Sequence, residues 1–124
     1  MNKKKLLLVI EDNPLLTTMY KTAFEKEGLN INIAHNAKDG FLLLKKESPD
    51  LILLDILMPG MSGLEFLERI RKNKTNNHKV VVLSVLSDKE TIEKAKQLGA
   101  LEYLVKSQLN LSDIVARVIV HINS

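Results

Sequence analysis

Three uninterrupted apolar runs in this chain each stop on a polar residue, and that repeat leaves few folds open. Leu6-Leu7-Leu8-Val9-Ile10 stops on Glu11-Asp12, Leu51-Ile52-Leu53-Leu54 on Asp55, and Val80-Val81-Val82-Leu83 on Ser84. A fourth, mixed run from Leu101 to Val105 stops on Lys106. Consecutive aliphatic residues without polar partners suit strands buried on both faces, as in a parallel sheet covered by helices. In open sheets of that kind ligands bind beyond the carboxyl ends of the strands, where these polar residues would lie.

The segments between the runs carry helical spacing. Asn13-Pro14 reads as an N-cap followed by proline at the first helical position, with Leu15, Leu16, Met19, Tyr20, Ala23 and Phe24 as the apolar side and Gly28 as the stop. Asn30 to Ala34 alternates, as an edge strand does. Asn36 and Asp39 open a second helix, whose apolar side is Phe41, Leu42 and Leu44 and which ends before Ser48-Pro49. Ser62 with Glu65, and Ser87 with Glu90, have capping-box spacing. The first opens a helix burying Leu64, Phe66 or Leu67, and Ile70. The second opens one with a thin stripe of Ile92, Ala95 and Leu98, expected to be held less tightly. Lys72 to His78 reads as a polar loop, and Leu111, Ile114, Val115, Val118, Ile119 and Ile122 mark a last helix.

Strands alternating with helices along 124 residues predict one α/β domain spanning 1–124, a flavodoxin-like, doubly wound, five-stranded parallel sheet in the order 2-1-3-4-5 with helices on both faces. In that order the ends of strands one, three, four and five share one edge, and strand two is peripheral.

Composition excludes several classes. With 45% hydrophobic and 27% charged residues the chain has the balance of an ordered globular protein. The formal charge is +3, but the only basic clusters are Lys3-Lys4-Lys5 and Arg71-Lys72-Asn73-Lys74, too short for the continuous face that direct nucleic-acid binding needs. The absence of cysteine excludes disulfides and thiolate metal sites and fits a reducing, cytoplasmic location. The lysines and apolar run at the start imitate a signal peptide, but the run is short and meets Glu11-Asp12 at once. No run approaches the ~20 residues of a membrane span. Asn73-Lys74-Thr75 and Asn110-Leu111-Ser112 match the glycosylation pattern, irrelevant to a cytoplasmic chain. His35, His78 and His121 are far apart and expected to be exposed, without a metal-ligand pattern.

Glu11, Asp12 and Asp55, with the Ser84 hydroxyl and the Lys106 ammonium, would converge at one edge. Asp12 and Asp55 so close would repel, raising one pKa unless a cation compensates. All-oxygen ligands select a hard one, and Mg²⁺ is content with few carboxylates plus waters and phosphate. Lys106 is a point charge suited to phosphate.

In these residues the chain resembles, over essentially its whole length, the receiver domain of bacterial two-component response regulators. The resemblance rests on Glu11-Asp12, on Asp55-Ile56-Leu57-Met58-Pro59-Gly60-Met61-Ser62-Gly63, on Ser84, on Gly99-Ala100, and on Tyr103 three residues before Lys106. It implies that Asp55 takes a phosphoryl group from a phosphohistidine on a sensor histidine kinase or phosphotransfer protein. Asp12, Asp55 and the Leu57 carbonyl would hold Mg²⁺, with Glu11 acting through a water bound to it. Lys106 and Ser84 would contact the phosphoryl oxygens. The same resemblance makes Ser84 and Tyr103 the switch: Ser84 moves toward the phosphoryl group, Tyr103 turns inward, and the surface of helix four, strand five and helix five changes for a partner or output domain. It also makes the chain a signalling domain that assists its own phosphorylation and dephosphorylation, not an enzyme.

Two residues depart from the common pattern. Ser107 stands where the family usually has proline after Lys106, commonly with a cis bond, and Ser84 replaces the alternative threonine. Leu57 and Leu86 are expected to flank the entrance and restrict the hydrolytic water. Kinase recognition is expected around Leu15, Leu16, Met19 and the loop after Lys106. Dimerisation on phosphorylation would use helices four and five, with Lys89, Glu93, Asp113 and Arg117 at the rim, and the chain is expected to carry no effector domain of its own. A flavodoxin-like cofactor binder is a weaker alternative, since the loops lack a Gly-rich cradle and aromatics make up only 4%. An aspartyl-phosphate phosphatase would want a second acid two residues after the nucleophile, where this chain has Leu57.

Overall fold

The computed structural model of the protein describes residues 3–73 and 77–124. Parts of the expected Lys72–His78 loop, of the Arg71–Lys74 basic cluster and of the Asn73-Lys74-Thr75 site lie outside the described residues. The elements run β1 (Leu6–Ile10), α1 (Pro14–Lys26), β2 (Asn30–Ala34), α2 (Ala37–Lys46), β3 (Leu51–Leu54), α3 (Gly63–Lys72), β4 (Val80–Ser84), α4 (Lys89–Gln97), β5 (Glu102–Val105) and α5 (Leu111–Ile122). A single 3₁₀ turn, Lys106–Gln108, follows β5. All strand pairings are parallel, in the order β2-β1-β3-β4-β5. Among the described residues no helix is long and apolar enough to cross a membrane.

Alternation along the strands divides the core in two. Leu7, Val9, Leu51, Leu53, Val81 and Leu83 face one side and meet Tyr20 and Phe24 of α1 and Ile114, Val118 and Ile122 of α5. Leu8, Ile10, Ile52, Leu54, Val80 and Val82 face the other and meet Phe66, Leu67 and Ile70 of α3 and Ala95 of α4. The central strands are therefore apolar on both faces, which is why their sequences run without alternation. Phe66 lies against Phe41 of α2 with ring centroids 4.5 Å apart. Burying one such ring contributes roughly 1.5–3 kcal/mol.

The helix starts follow the predicted caps in three cases and differ in one. Asn13 accepts from the amides of Leu15 and Leu16, Asn36 from that of Asp39, and Ser62 from that of Glu65. The cap of α4 is Asp88 rather than Ser87. Its carboxylate accepts from the Thr91 amide at 3.0 Å and from the Thr91 hydroxyl at 2.7 Å. A carboxylate at a helix N-terminus gains from the macrodipole as well as from the bonds, so it displaces the neighbouring hydroxyl. The reciprocal capping box forms instead at α5, between Asn110 and Asp113.

Some apolar positions also shift. In α1 the buried residues are Thr17, Tyr20 and Phe24, while Leu15 and Met19 stay exposed. Thr17 is accommodated because its hydroxyl donates to the Pro14 carbonyl at 3.0 Å. In α2, Leu43 rather than Leu42 packs on the core, because Ala37 and Gly40 set the buried face and leave Leu42 47% exposed. α4 buries only Ala95, so it is the lightly held element its sequence predicts.

Gly63 brings a helix close to the sheet. A Cβ on Gly63 would lie 2.2 Å from the Asp55 carbonyl oxygen and 2.8 Å from the Ile56 Cα, both backbone atoms that cannot step aside. Gly63 therefore lets α3 begin directly against the segment carrying Asp55. Gly63→Ala is expected to destabilise the protein by about 3 kcal/mol, read as a lowered urea midpoint at unchanged slope, and a loss below about 1 kcal/mol would contradict the close approach.

Candidate functional site

Register determines what meets at the carboxyl edge of the sheet. Ile10 pairs with Leu54, so Glu11 and Asp55 each stand one residue beyond a matched pair. Their amides complete the ladder, Glu11 N–H donating to the Ala34 carbonyl and Asp55 N–H to that of Ile10, both at 3.0 Å. Ser84 pairs with Val105 in the last rung between β4 and β5, and Lys106 follows at once. Lys106 then reaches back over the end of β4 toward β3 and β1.

Its ammonium bridges two carboxylates, with Nζ 2.5 Å from Glu11 Oε1 and 3.1 Å from Asp55 Oδ2. Both acids are buried, Glu11 to 3% and Asp55 to 5% exposure, whereas Asp12 is exposed. Backbone amides hold the remaining oxygens. Asn13 N–H donates to Glu11 Oε2 at 3.0 Å and Leu57 N–H to Asp55 Oδ1 at 3.1 Å. Carboxylate oxygens of Glu11, Asp12 and Asp55 lie within 4.8 Å of one another.

Three carboxylates against one ammonium leave an excess of negative charge. Burial pushes the Glu11 carboxyl up; hydrogen bonds from Lys106 and the Asn13 amide oppose the rise, and the Asp55 charge adds to it. Burial by itself would lower Lys106, but the bond to Glu11 and the field of both acids outweigh it and hold the ammonium above its ordinary range. An all-oxygen pocket with this residual charge fits a hard divalent cation in its donor chemistry.

Ser84 is fully buried at the end of β4, with its hydroxyl accepting from the Leu86 amide at 3.3 Å. The Leu86 carbonyl in turn accepts from the Tyr103 hydroxyl at 2.8 Å. Tyr103 is partly buried against the α3–α4 side of the core. Burial holds its phenol up, and the nearby Ser84 hydroxyl opposes the rise. All the sequence-predicted side chains are thus at one edge, Ser84 and Tyr103 joined through the main chain of Leu86.

Three further features were not legible in the residues. Asn13 serves through its amide as well as its side chain, and a main-chain donor has no sequence signal. Tyr20, read as core, is buried within electrostatic reach of Lys106, Glu11 and Asp55, and burial raises its phenol. His35 sits at the rim with Nδ1 3.2 Å from the Glu11 carbonyl. Against expectation His78 and His121 are partly buried, His121 because Nε2 meets Glu102 at 2.7 Å. Among the described residues no peptide bond is cis, so Lys106-Ser107 is trans.

The sequence matches the model of the response regulator receiver domain over residues 7–119. The chain belongs to that family. It is 38% identical over 102 residues to the "Probable C4-dicarboxylate response regulator DctR" of Bacillus subtilis, covering 81% of this chain and 45% of that protein. It is 34% identical over 106 residues to the sporulation initiation phosphotransferase F of Bacillus subtilis, covering 86% of this chain and 83% of that one. The chain thus spans about half the length of the dicarboxylate regulators it matches. Among solved structures, the response regulator TrrA of Thermotoga maritima in complex with Mg²⁺ and beryllium fluoride superposes with a TM-score of 0.82 at 32% identity, covering 94% of this chain and 98% of that one. The protein is a receiver domain of two-component phosphorelay signalling.

Removing one charge from the crowded edge is expected to stabilise the metal-free protein. Asp55→Asn should gain about 1 kcal/mol at neutral pH in the presence of a chelator. Glu11 titrates above its ordinary 4.5 in the folded state, so repulsion in the wild type fades as pH falls through that raised value toward 4.5 and below. Urea unfolding across pH 4–8 should show the gain shrinking on the acid side; a gain that grows there would contradict the reading.

Proposed function

We propose that Asp55 is the phosphoacceptor. The observation that carries this reading is the Lys106 ammonium held between Glu11 and Asp55, with Asp12 beside them, at the end of the central strand. An Asp55 oxygen attacks phosphorus in line with the bond to a histidine nitrogen on the donor kinase or phosphotransfer protein. The P–O bond forms as the P–N bond breaks, and the imidazole leaves with the electron pair. Phosphoryl transfer of this kind is mainly positioning and charge stabilisation.

Each group has a defined part. The buried strand and the Leu57 amide fix the Asp55 carboxylate, leaving one oxygen to Lys106 and to the incoming phosphoryl group. Lys106 exchanges one acid partner for phosphoryl oxygens, and the Ser84 hydroxyl donates to another. Asp12, Asp55 and the Leu57 carbonyl would hold Mg²⁺, with Glu11 bound through water. When bound, Mg²⁺ supplies the charge that the three carboxylates lack and neutralises the transferring group. The chain thereby assists its own phosphorylation and dephosphorylation.

Output would follow from the Ser84–Leu86–Tyr103 connection. A hydroxyl recruited by the phosphoryl group draws on the Leu86 amide it now accepts from, and the Leu86 carbonyl carries the change to Tyr103. α4, anchored by Ala95, needs only a small free-energy bias to shift. The altered α4–β5–α5 surface is offered to a partner, an output domain or a second copy, with Lys89, Glu93, Asp113 and Arg117 at its rim. The exposed Leu15 and Met19 beside α5 are the proposed kinase contact. A cytoplasmic setting, without direct nucleic-acid contact, accords with this role.

Incubation with acetyl phosphate and Mg²⁺ should add one phosphoryl mass to the wild type and none to Asp55→Asn, by intact-mass spectrometry; adducts on both would remove Asp55 from the role. Leu57, 49% exposed, and Leu86 flank the site and restrict water. Leu86→Ala should therefore shorten the phosphoaspartate lifetime by roughly threefold, about 0.7 kcal/mol in activation free energy. An unchanged lifetime would show that this side chain does not exclude the water.

A further inference from the structure

Leu42 has helical spacing that assigns it to the core, yet it stands in solvent on α2. It lies in a groove of about 470 Å³ between α2 and the loop that leads into α3. The α2 wall carries Lys38, Leu42 and Lys45 at i, i+4 and i+7, one stripe of the helix. Phe41 forms the floor, and Met61 and Arg69 stand opposite. An adjoining hollow of about 630 Å³ shares Phe41, Lys45 and Arg69 and continues over Leu44, so the depression runs along about two turns of α2.

The charges of this groove all have one sign. Three cations line the first hollow, and no carboxylate lines either one. Among the described residues Lys38 and Lys45 take part in no ion pair, and Arg69 has only an exposed 3.7 Å contact with Glu65. This is unusual on a chain where acids and bases otherwise intermix to a formal +3. An apolar floor rimmed by three cations, two of them outside any ion pair among the described residues, complements a helix with aliphatic side chains on one face and carboxylates on both flanks. Isolated lysines this far apart do not form the continuous basic face that nucleic acid requires.

We propose that the groove between α2 and the β3–α3 loop is a docking site for an acidic amphipathic helix of a partner protein. The side chains of Leu42, Phe41 and Met61 receive its aliphatic residues, while Lys38, Lys45 and Arg69 pair with its carboxylates. The surface is distinct from the hollow beside Leu15 and Met19 and from the α4–β5–α5 face, so one receiver can hold this partner while those faces are engaged.

The test uses an 18-residue helical probe peptide with leucines on one face and glutamates on both flanks, titrated into the ¹⁵N-labelled protein. Saturable shifts should centre on Phe41, Leu42, Lys45, Met61 and Arg69 and weaken with added salt. The double variant Lys38→Glu/Lys45→Glu should bind about tenfold more weakly or worse, with an otherwise wild-type spectrum and unchanged phosphorylation by acetyl phosphate. Leu42→Ala should also weaken binding. Four results would each overturn the proposal: no saturation, equal affinity for the same peptide with lysines replacing glutamates, shifts centred on Leu15 and Met19, or stronger binding to phosphatidylglycerol vesicles than to the peptide.

Discussion

One ammonium holds together what three carboxylates would push apart. Lys106 extends from the end of β5 across β4 to reach Asp55 beyond β3 and Glu11 beyond β1, so a single side chain ties the ends of three strands, β5, β3 and β1, into one charged edge. The compensation is incomplete. Lys106 is held protonated more firmly than an ordinary lysine, while Glu11 still has a raised carboxyl, primarily from burial. The excess negative charge on an all-oxygen cluster suits a hard divalent cation. Buried pairs of this kind are weak sources of stability, so their presence at this edge is best understood through binding.

The rest of the architecture separates the rigid part of this edge from the movable part. β1 and β3 are apolar on both faces, and Gly63 lets α3 press against the Asp55 backbone, so the acid cluster rests on buried strands. On the other side of Ser84, α4 has one buried side chain. Its C-terminal end is nevertheless fastened: Arg71 of α3 donates to the carbonyls of Leu98 and Gly99 at 2.8 and 3.2 Å and to that of His78 at 2.8 Å. The helix is thus fixed at its far end and light near Ser84 and Leu86. That asymmetry suits a hinge whose free end lies beside Ser84 and the acid cluster.

Much of this was legible in the residues because the central strands are buried on both faces and end abruptly. The run from Leu51 to Leu54 could be little else than a central strand, and once Asp55 was its terminus the other strand ends followed. Single-residue choices were harder. Leu42 and Leu43 are equivalent to any periodic pattern, and Gly40 packing within 2.8 Å of Ile10 from its would-be Cβ decides which one turns inward. At α4 the cap expected at Ser87 moved one position on, to the Asp88 carboxylate. The main-chain parts of the site, the amides of Asn13, Leu57 and Leu86 and the Leu86 carbonyl, leave no mark on side-chain identity. Arg71 read as part of a solvated basic cluster because its three carbonyl acceptors come from segments distant in sequence.

Asp55 is the proposed acceptor at this edge, and the modified residue itself can be read directly. Borohydride reduction of the phosphorylated protein converts an aspartyl phosphate to homoserine, which peptide mass mapping locates. Homoserine at position 55, and at no other position, is the predicted result. Homoserine at position 12, the homologous reduced alcohol at Glu11, or phosphate retained on a serine or histidine would contradict it.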